Sequence, residues 1–381
     1  MTAQSPEVLD FTKLLTPISV DKPTGVDLRA DASPTSPYYA LRDARTAARL
    51  AERPLDRGDE VDPKDAPPPD WRPVWQRGCE LLAGKTKDLE VTAYLIEALL
   101  RLHGFAGLRD GLRLACELIE RFWDHLYPMP DEDGMATRIA PLIGLNGDEA
   151  DGTLLAPIGR VPVTEATSIG SFASSAYHDA MALKKLDPKV RDAQIKNGAV
   201  TLEVLQKAVG ESSPQFYQKL VGDLTQCGVE LTRLGAILDP RCQGDGPPTS
   251  ALRAALDSTL DVVKDLAKSK LEESAVKAAP PKAATAAAGP AAAGAPAPDE
   301  GNGLHTREDA FRSLLEIAAF FRKTEPHTVV SYALEQIVRW GRMSLPELLA
   351  ELIPEEPVRK NLFKQVGIKP ETPGKPGDSK K

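Results

Sequence analysis

Cysteine is scarce: there are four in 381 residues, Cys79, Cys116, Cys227 and Cys242, with no CxxC pair and no histidine at metal-ligand spacing. That pattern argues against a zinc site and against a disulfide framework. Equally missing are GxGxxG after a strand, GxxxxGK[ST], GxSxG and HExxH, so the common nucleotide, hydrolase and metalloprotease signatures are absent. No stretch approaches the roughly 18 to 20 apolar residues that cross a bilayer, and the N-terminal MTAQSPEVLDFTKLL has neither a basic start nor an unbroken apolar core for export. The expected location is the cytoplasm, without direct membrane insertion. A basic surplus is lacking too. The chain has 47 Lys+Arg against 55 Asp+Glu, a net charge of -8, which removes the broad positive surface that supplies most affinity for nucleic acid.

Five histidines remain as general bases. His103 stands at a helix end before Gly104, where the helix dipole would favour its charged form. His327 shares one turn with Glu325 and Pro326, but a dipole-complementing helix start explains that turn as well as a proton-bearing site does. The acidic DEDG at 131–134 lacks the spaced oxygens and terminal Glu of a calcium loop. No enzyme is expected, and no catalytic, cofactor-binding or metal-binding residue is assigned.

What the chain does have is helical periodicity, broken by 33 prolines and 28 glycines. Ser36-Pro37 reads as the start of a helix to about Leu50. Asp70 opens another helix carrying Trp71, Trp75, Cys79 and Leu82. Asp88 opens a third with Leu89, Ala93, Ile96 and Leu100 on one face, and Leu108, Leu112, Ala115, Ile119, Phe122 and Leu126 repeat the pattern before Tyr127-Pro128 stops it. Between these last two, HGFAGLRDG has glycines at 104, 107 and 111, which permit a tight corner and close backbone approach, so an antiparallel αα-hairpin is expected. Leu154 to Ala173 has no helical period and reads as an irregular connector.

Further on, a helix near Leu202 to Val209 precedes a long one from Pro214 to Leu238, with a seam of Phe216, Leu220, Leu224, Cys227, Leu231, Leu234 and Leu238. A partner runs from Thr249 to about Leu271. The apolar stripe of this pair must be covered, either by a neighbouring subunit or by the first helical block. Ala278 to Pro298 is an Ala/Pro run with almost nothing to bury, which is the composition of a linker. Thr306 then caps a helix with Phe311, Leu314, Leu315, Ala318 and Phe321; a second bears Val330, Leu334, Ile337 and Val338 and ends at Trp340-Gly341; Ser344 with Glu347 starts a third. The expected class is all-α. Its parts are an N-terminal helical domain (9–150), a middle helical domain (175–272), a linker (275–302) and a small C-terminal module (303–370).

Two stretches carry a resemblance. LLTPISVDKPTGVDLR (Leu14 to Arg29) and KDLEVTAYLIEALLRLHGFAGLRDGLRLACELIERFWDHLYPMPDEDG (Lys87 to Gly134) resemble the ImpA-type N-terminal domain of the TssA family of bacterial type VI secretion systems. FRKTEPHTVVSYALEQIVRWGRMSLPELLAEL (Phe321 to Leu352) is similar to the C-terminal domain of that family's shorter members. The resemblance implies a non-enzymatic assembly factor, without cofactors, that forms a ring through its C-terminal region. It also implies association with the baseplate, guidance of tube and sheath polymerisation, and in some members contact with the membrane complex. A general cytosolic helical adaptor or chaperone is the alternative. Within the ImpA-like part, Leu102, His103, Gly104, Phe105 and Gly107 are expected to seal the corner or to dock. In the C-terminal module, the bunched Phe320, Phe321, Trp340 and Leu345 are expected to supply apolar interface. Arg339 and Arg342 would frame Trp340 and pair with Glu347 or Glu351 of a neighbouring copy.

Overall fold

Each long apolar period becomes a helix, and several of the helices start at a side-chain cap, as at Asp88, Asp187, Thr201 and Ser213. The computed structural model describes residues 3–33, 35–57, 68–132, 134–148, 151–278, 307–324, 329–343 and 345–352, all helices and connectors, with isolated bridges but no strand among them. Two compact units are present, Met1–Ala283 and Ala284–Lys381. The first begins with α1 (Phe11–Leu15), α2 (Pro37–Arg57), α3 (Arg72–Gly84) and α4 (Leu89–Phe122). It continues through α5 (Met135–Asn146), α6 (Leu155–Arg160), α7 (Ser174–Lys184), α8 (Pro188–Lys196), α9 (Leu202–Glu211), α10 (Pro214–Leu238), α11 (Ser250–Leu266) and α12 (Lys268–Ala278).

The 34 residues of α4 are not one rod. At Gly104 the backbone turns to φ 58°, ψ −142°, a region that only glycine enters without cost, and the chain folds back on itself. Gly111 then lies against Ile96, and Gly107 against Leu99. This is the expected hairpin, with arms close enough that their ends also meet: Leu89 N–H donates to the Tyr127 carbonyl at 2.8 Å. Counted as a single helix through His125, the segment is long and apolar enough to cross a bilayer, which corrects the expectation that no such segment exists. Folded at Gly104 it is the centre of the core, with Leu95, Ile96, Leu99, Leu108, Leu112 and Leu118 all inaccessible to solvent.

The seam of α10 lies against this hairpin, and Leu224, Cys227, Leu231, Leu234 and Leu238 join the same continuous core as α3, α4 and α5. Its stripe is therefore covered within the chain. Residues 9–150 and 175–272 share one core, so the expected division into two separate helical domains gives way to one unit; the physical reason is that neither the second arm of α4 nor α10 can bury its apolar face without the other. Of the expected connector, Leu155–Arg160 is helical and the remainder is irregular, held by Val163 N–H donating to the Phe172 carbonyl at 2.7 Å. The expected helix from Thr249 to Leu271 is interrupted at Ala267, where α11 ends and α12 begins.

The second unit contains α13 (Arg307–Thr324), α14 (Val330–Arg342) and α15 (Leu345–Leu352). Ala318 and Val338 are buried between α13 and α14, and the Phe311 ring packs on Gly341. Most of the Ala/Pro run (279–306) and the last stretch of the C-terminal module (353–381) lie outside the described residues, as does His327.

Candidate functional site

The GVDLR of the first resemblance stretch explains itself in the fold. Asp88 caps α4 by accepting from the Glu90 and Val91 amides, at 2.8 and 3.2 Å. Arg29 reaches that cap, donating to Asp88 at 2.6 Å and to Glu90 at 2.9 Å. A single 3-10 turn, Leu28–Ala30, is thereby locked to the start of the hairpin by a forked guanidinium. Lys87 is fully buried and donates to the carbonyls of Leu14 and Leu82, at 2.7 and 2.6 Å, closing the C-terminal ends of α1 and α3. Burial draws its ammonium down to about 8.

Alongside, α2 offers α4 a polar rung every seven residues. Tyr38 donates to Glu90 at 2.9 Å, Arg45 to Glu97 at 2.6 Å, and Glu52 accepts from Arg101 at 2.9 Å. Rungs two helical turns apart keep α2 in register along the first arm. Tyr38, Arg45, Glu90, Tyr94 and Glu97 also floor a cleft of about 760 Å³ whose rim is Pro128, Met129 and Pro130. Burial first, and then the Glu90 carboxylate, push the Tyr38 hydroxyl up to about 12, so it acts as a donor throughout the physiological range.

The HGF corner is structural at its centre and exposed at one residue. Phe105 is buried, and its carbonyl accepts the Cys227 thiol of α10 at 3.3 Å. Leu102 packs against the core from its margin. His103 points outward, its ring edge-to-face on Trp75 at 5.1 Å. The expectation that a helix dipole favours charged His103 is corrected here: partial desolvation lowers its pKa, outweighing the opposing pull of the Asp110 carboxylate. At Gly107 a β-carbon would overlap the Leu99 carbonyl oxygen. Gly107→Ala is expected to cost about 1–3 kcal/mol by forcing the arms apart; thermal unfolding of the full chain measures it, and an unchanged midpoint would mean the arms separate freely.

One cluster has no counterpart in the local sequence pattern. Arg109, on the second arm, donates to Asp110 at 2.8 Å and to Asp223 of α10 at 2.5 Å, and also to the carbonyls of Ser5 and Pro6. Asp223 accepts from the Ser5 amide at 3.1 Å, and Asp110 accepts from that of Val8. Three segments more than 100 residues apart are joined in one buried ionic knot.

In the second unit, Phe320 is 61% exposed and Phe321 half-buried, the two rings edge-to-face at 5.8 Å. Trp340 is half-buried near the end of α14. Arg339 donates to Glu351 at 2.7 Å, and Arg342 to Glu308 at 2.9 Å while lying over the Phe311 ring. Both arginines thus pair inside their own chain, where pairing with a neighbour's Glu347 or Glu351 was expected. The side chain of Leu345 lies outside the described ones.

Residues 15–147 match the model of the ImpA N-terminal family, type VI secretion system. Over 359 residues, 91% of this chain and 96% of the other, the sequence is 29% identical to the type VI secretion system component TssA1 of Pseudomonas aeruginosa. The likeness is to TssA components of type VI secretion systems, with an ImpA-type region at residues 15–147. The N-terminal domain of the TssA component from Burkholderia cenocepacia, which includes the conserved ImpA_N region, superposes with a TM-score of 0.56 at 26% identity. It covers 69% of this chain and 95% of its own, an extent well beyond residues 15–147. The TssA fold unit and the ImpA sequence unit therefore differ in length.

Proposed function

We propose that this chain is a structural, non-enzymatic assembly factor of the type VI secretion system. It works in the cytoplasm as a ring built from its C-terminal module, associates with the baseplate, and helps to initiate or guide polymerisation of the tail tube and sheath. Contact with the membrane complex fits the same role. The ImpA-type N-terminal region and the similarity to TssA1 support the secretion role. The observation that carries the ring is the apolar surface of the second unit. Leu315, Ile317, Phe320, Val330, Tyr332 and Ile337 all stand exposed on two helices, with Val329 exposed just before the second, an amount of bare apolar surface that marks interaction sites. A module this small gains stability from self-association.

The test is the solution mass of the full chain against Trp340→Ala and Phe320→Asp, with circular dichroism on the same samples. Smaller particles with unchanged helicity are expected. Helicity lost at every concentration would assign these rings to the intrachain core, and a full chain that is monomeric at high micromolar concentration would sink the ring.

A further inference from the structure

Helix α8 is closed at both ends by its own sequence and yet buries nothing. Asp187 caps it, accepting from the Lys189 amide at 2.9 Å with Pro188 in the first turn. At the other end Asn197 bonds back to the Ala193 carbonyl at 3.1 Å and Gly198 takes φ 93°. None of its nine residues is buried. A helix this short is not stable by propensity alone, and one that no core covers has its surface free for something else.

The chemistry of that surface is basic. From Lys184 to Lys196 there are five cations, Lys184, Lys185, Lys189, Arg191 and Lys196, against Asp187 and Asp192, in a chain whose net charge is -8. Leu186, Val190 and Ile195 add exposed apolar contacts, 38, 49 and 41% accessible. Elsewhere in this unit arginines are held by carboxylates, as at Arg29, Arg45, Arg101 and Arg109. Among the described residues no salt bridge within 4 Å engages any of the five cations of this segment.

A matching row lies on α11. Asp257, Asp261 and Asp265 recur every four residues, so they share one face; all three are exposed, and none is in a salt bridge among the described residues. Between the two patches runs α7. It is held to α11 by Tyr177 donating to Asp265 and by His178 lying 3.4 Å from Ser258, and it leads directly through Lys184 and Lys185 into α8. A basic and an acidic patch that flank the same helix form a self-complementary face. One two-fold axis across α7 satisfies both at once, each copy's α8 lying on the other's α11.

We propose that this face joins two copies of the chain, with Lys185, Lys189 and Lys196 of one opposite Asp257, Asp261 and Asp265 of the other. The membrane alternative fits less well. Val190 and Ile195 are five positions apart, about 140° around the helix, so α8 has no single apolar stripe to lay on a lipid surface. Exposed ion pairs set register more than strength, and the contact rests in part on the proposed ring, which would raise the local concentration of these faces.

The test is zero-length carbodiimide coupling of lysine to aspartate in an equimolar mixture of 14N- and 15N-labelled full chain, with the mass of each sample measured alongside. Mixed-isotope links from Lys185, Lys189 or Lys196 to Asp257 or Asp261 are expected. They should fall about tenfold in Lys185→Glu/Lys189→Glu and return when Asp257→Lys/Asp261→Lys is added to the same chain. An assembled mass with links only between like isotopes, or with none, overturns this contact and leaves the ring standing. A monomeric mass without mixed links overturns both. Retention on phosphatidylglycerol vesicles that depends on these lysines, without mixed links, would replace the second copy by a membrane.

Discussion

Arg109→Ala is expected to destabilise the first unit by about 3–5 kcal/mol, the cost of leaving buried carboxylates without their cation. Asp110 and Asp223 are 1 and 3% exposed, and Arg109 is the only cation that the structure pairs with either among the described residues. The guanidinium also holds two carbonyls of the N-terminal segment, so the loss should be accompanied by earlier proteolysis near Ser5 to Val8. Urea denaturation of the full chain gives the magnitude. Adding Asp110→Asn and Asp223→Asn to Arg109→Ala should recover a substantial part, because the amides keep their acceptor oxygens for Ser5 and Val8 while the unpaired charge is gone. A single variant within about 0.5 kcal/mol of the parent, the range of ordinary surface changes, would refute the knot as a stabilising element.

Phe105→Ala is expected to cost a similar amount, about 3–5 kcal/mol, for an unrelated reason. The ring is 2% exposed at the corner of the hairpin, where its backbone carbonyl also meets the Cys227 thiol of α10. Truncation opens a cavity at the junction of both arms with α10, and a corner fixed by Gly104 has little room to collapse into it. Melting temperature should therefore fall before any recruitment to the secretion apparatus is affected. A variant that keeps its melting temperature but is no longer recruited would place Phe105 on a docking surface instead of in the core.

These two residues illustrate what a sequence exposes and what it hides. Phe105 was legible because it sits in a glycine-punctuated corner between two periodic stretches, and the periods of α4 and α10 picked out one buried stripe on each helix, among them Leu89, Ile96, Leu108, Leu112, Leu224 and Leu231; Leu95, Leu99 and Leu118 lie off that stripe and are buried as well because α4 is covered on several sides. Arg109 and Asp223 were not, since their pairing depends on packing between segments 114 residues apart and no local spacing encodes it. The same applies to the Arg29 fork, which joins two recognisable stretches through contacts that neither contains. Helix α5 escaped notice because Pro141 interrupts its Ile139, Leu142 and Leu145. Helices α7 and α8 escaped because the first has little apolar stripe and the second none. At the C-terminal end, the position of Phe320 and Trp340 on adjacent helices was legible; the partners of Arg339 and Arg342 were misplaced, because a glutamate within reach in the same chain competes with one in a neighbour at no cost in association entropy.

The covering of α4 by α10 bears on how such proteins can exchange parts. A gene segment ending near residue 150 carries every residue of the recognisable N-terminal stretches but none of the helix that closes their core. Recombination at that point would bring together a hairpin and a long helix selected in different lineages, and Phe105, Arg109 and Cys116 would meet foreign residues at positions 227, 223 and 230. Swaps that succeed should therefore fall in the Ala/Pro run beyond residue 278, leaving the whole first unit to be inherited as one piece.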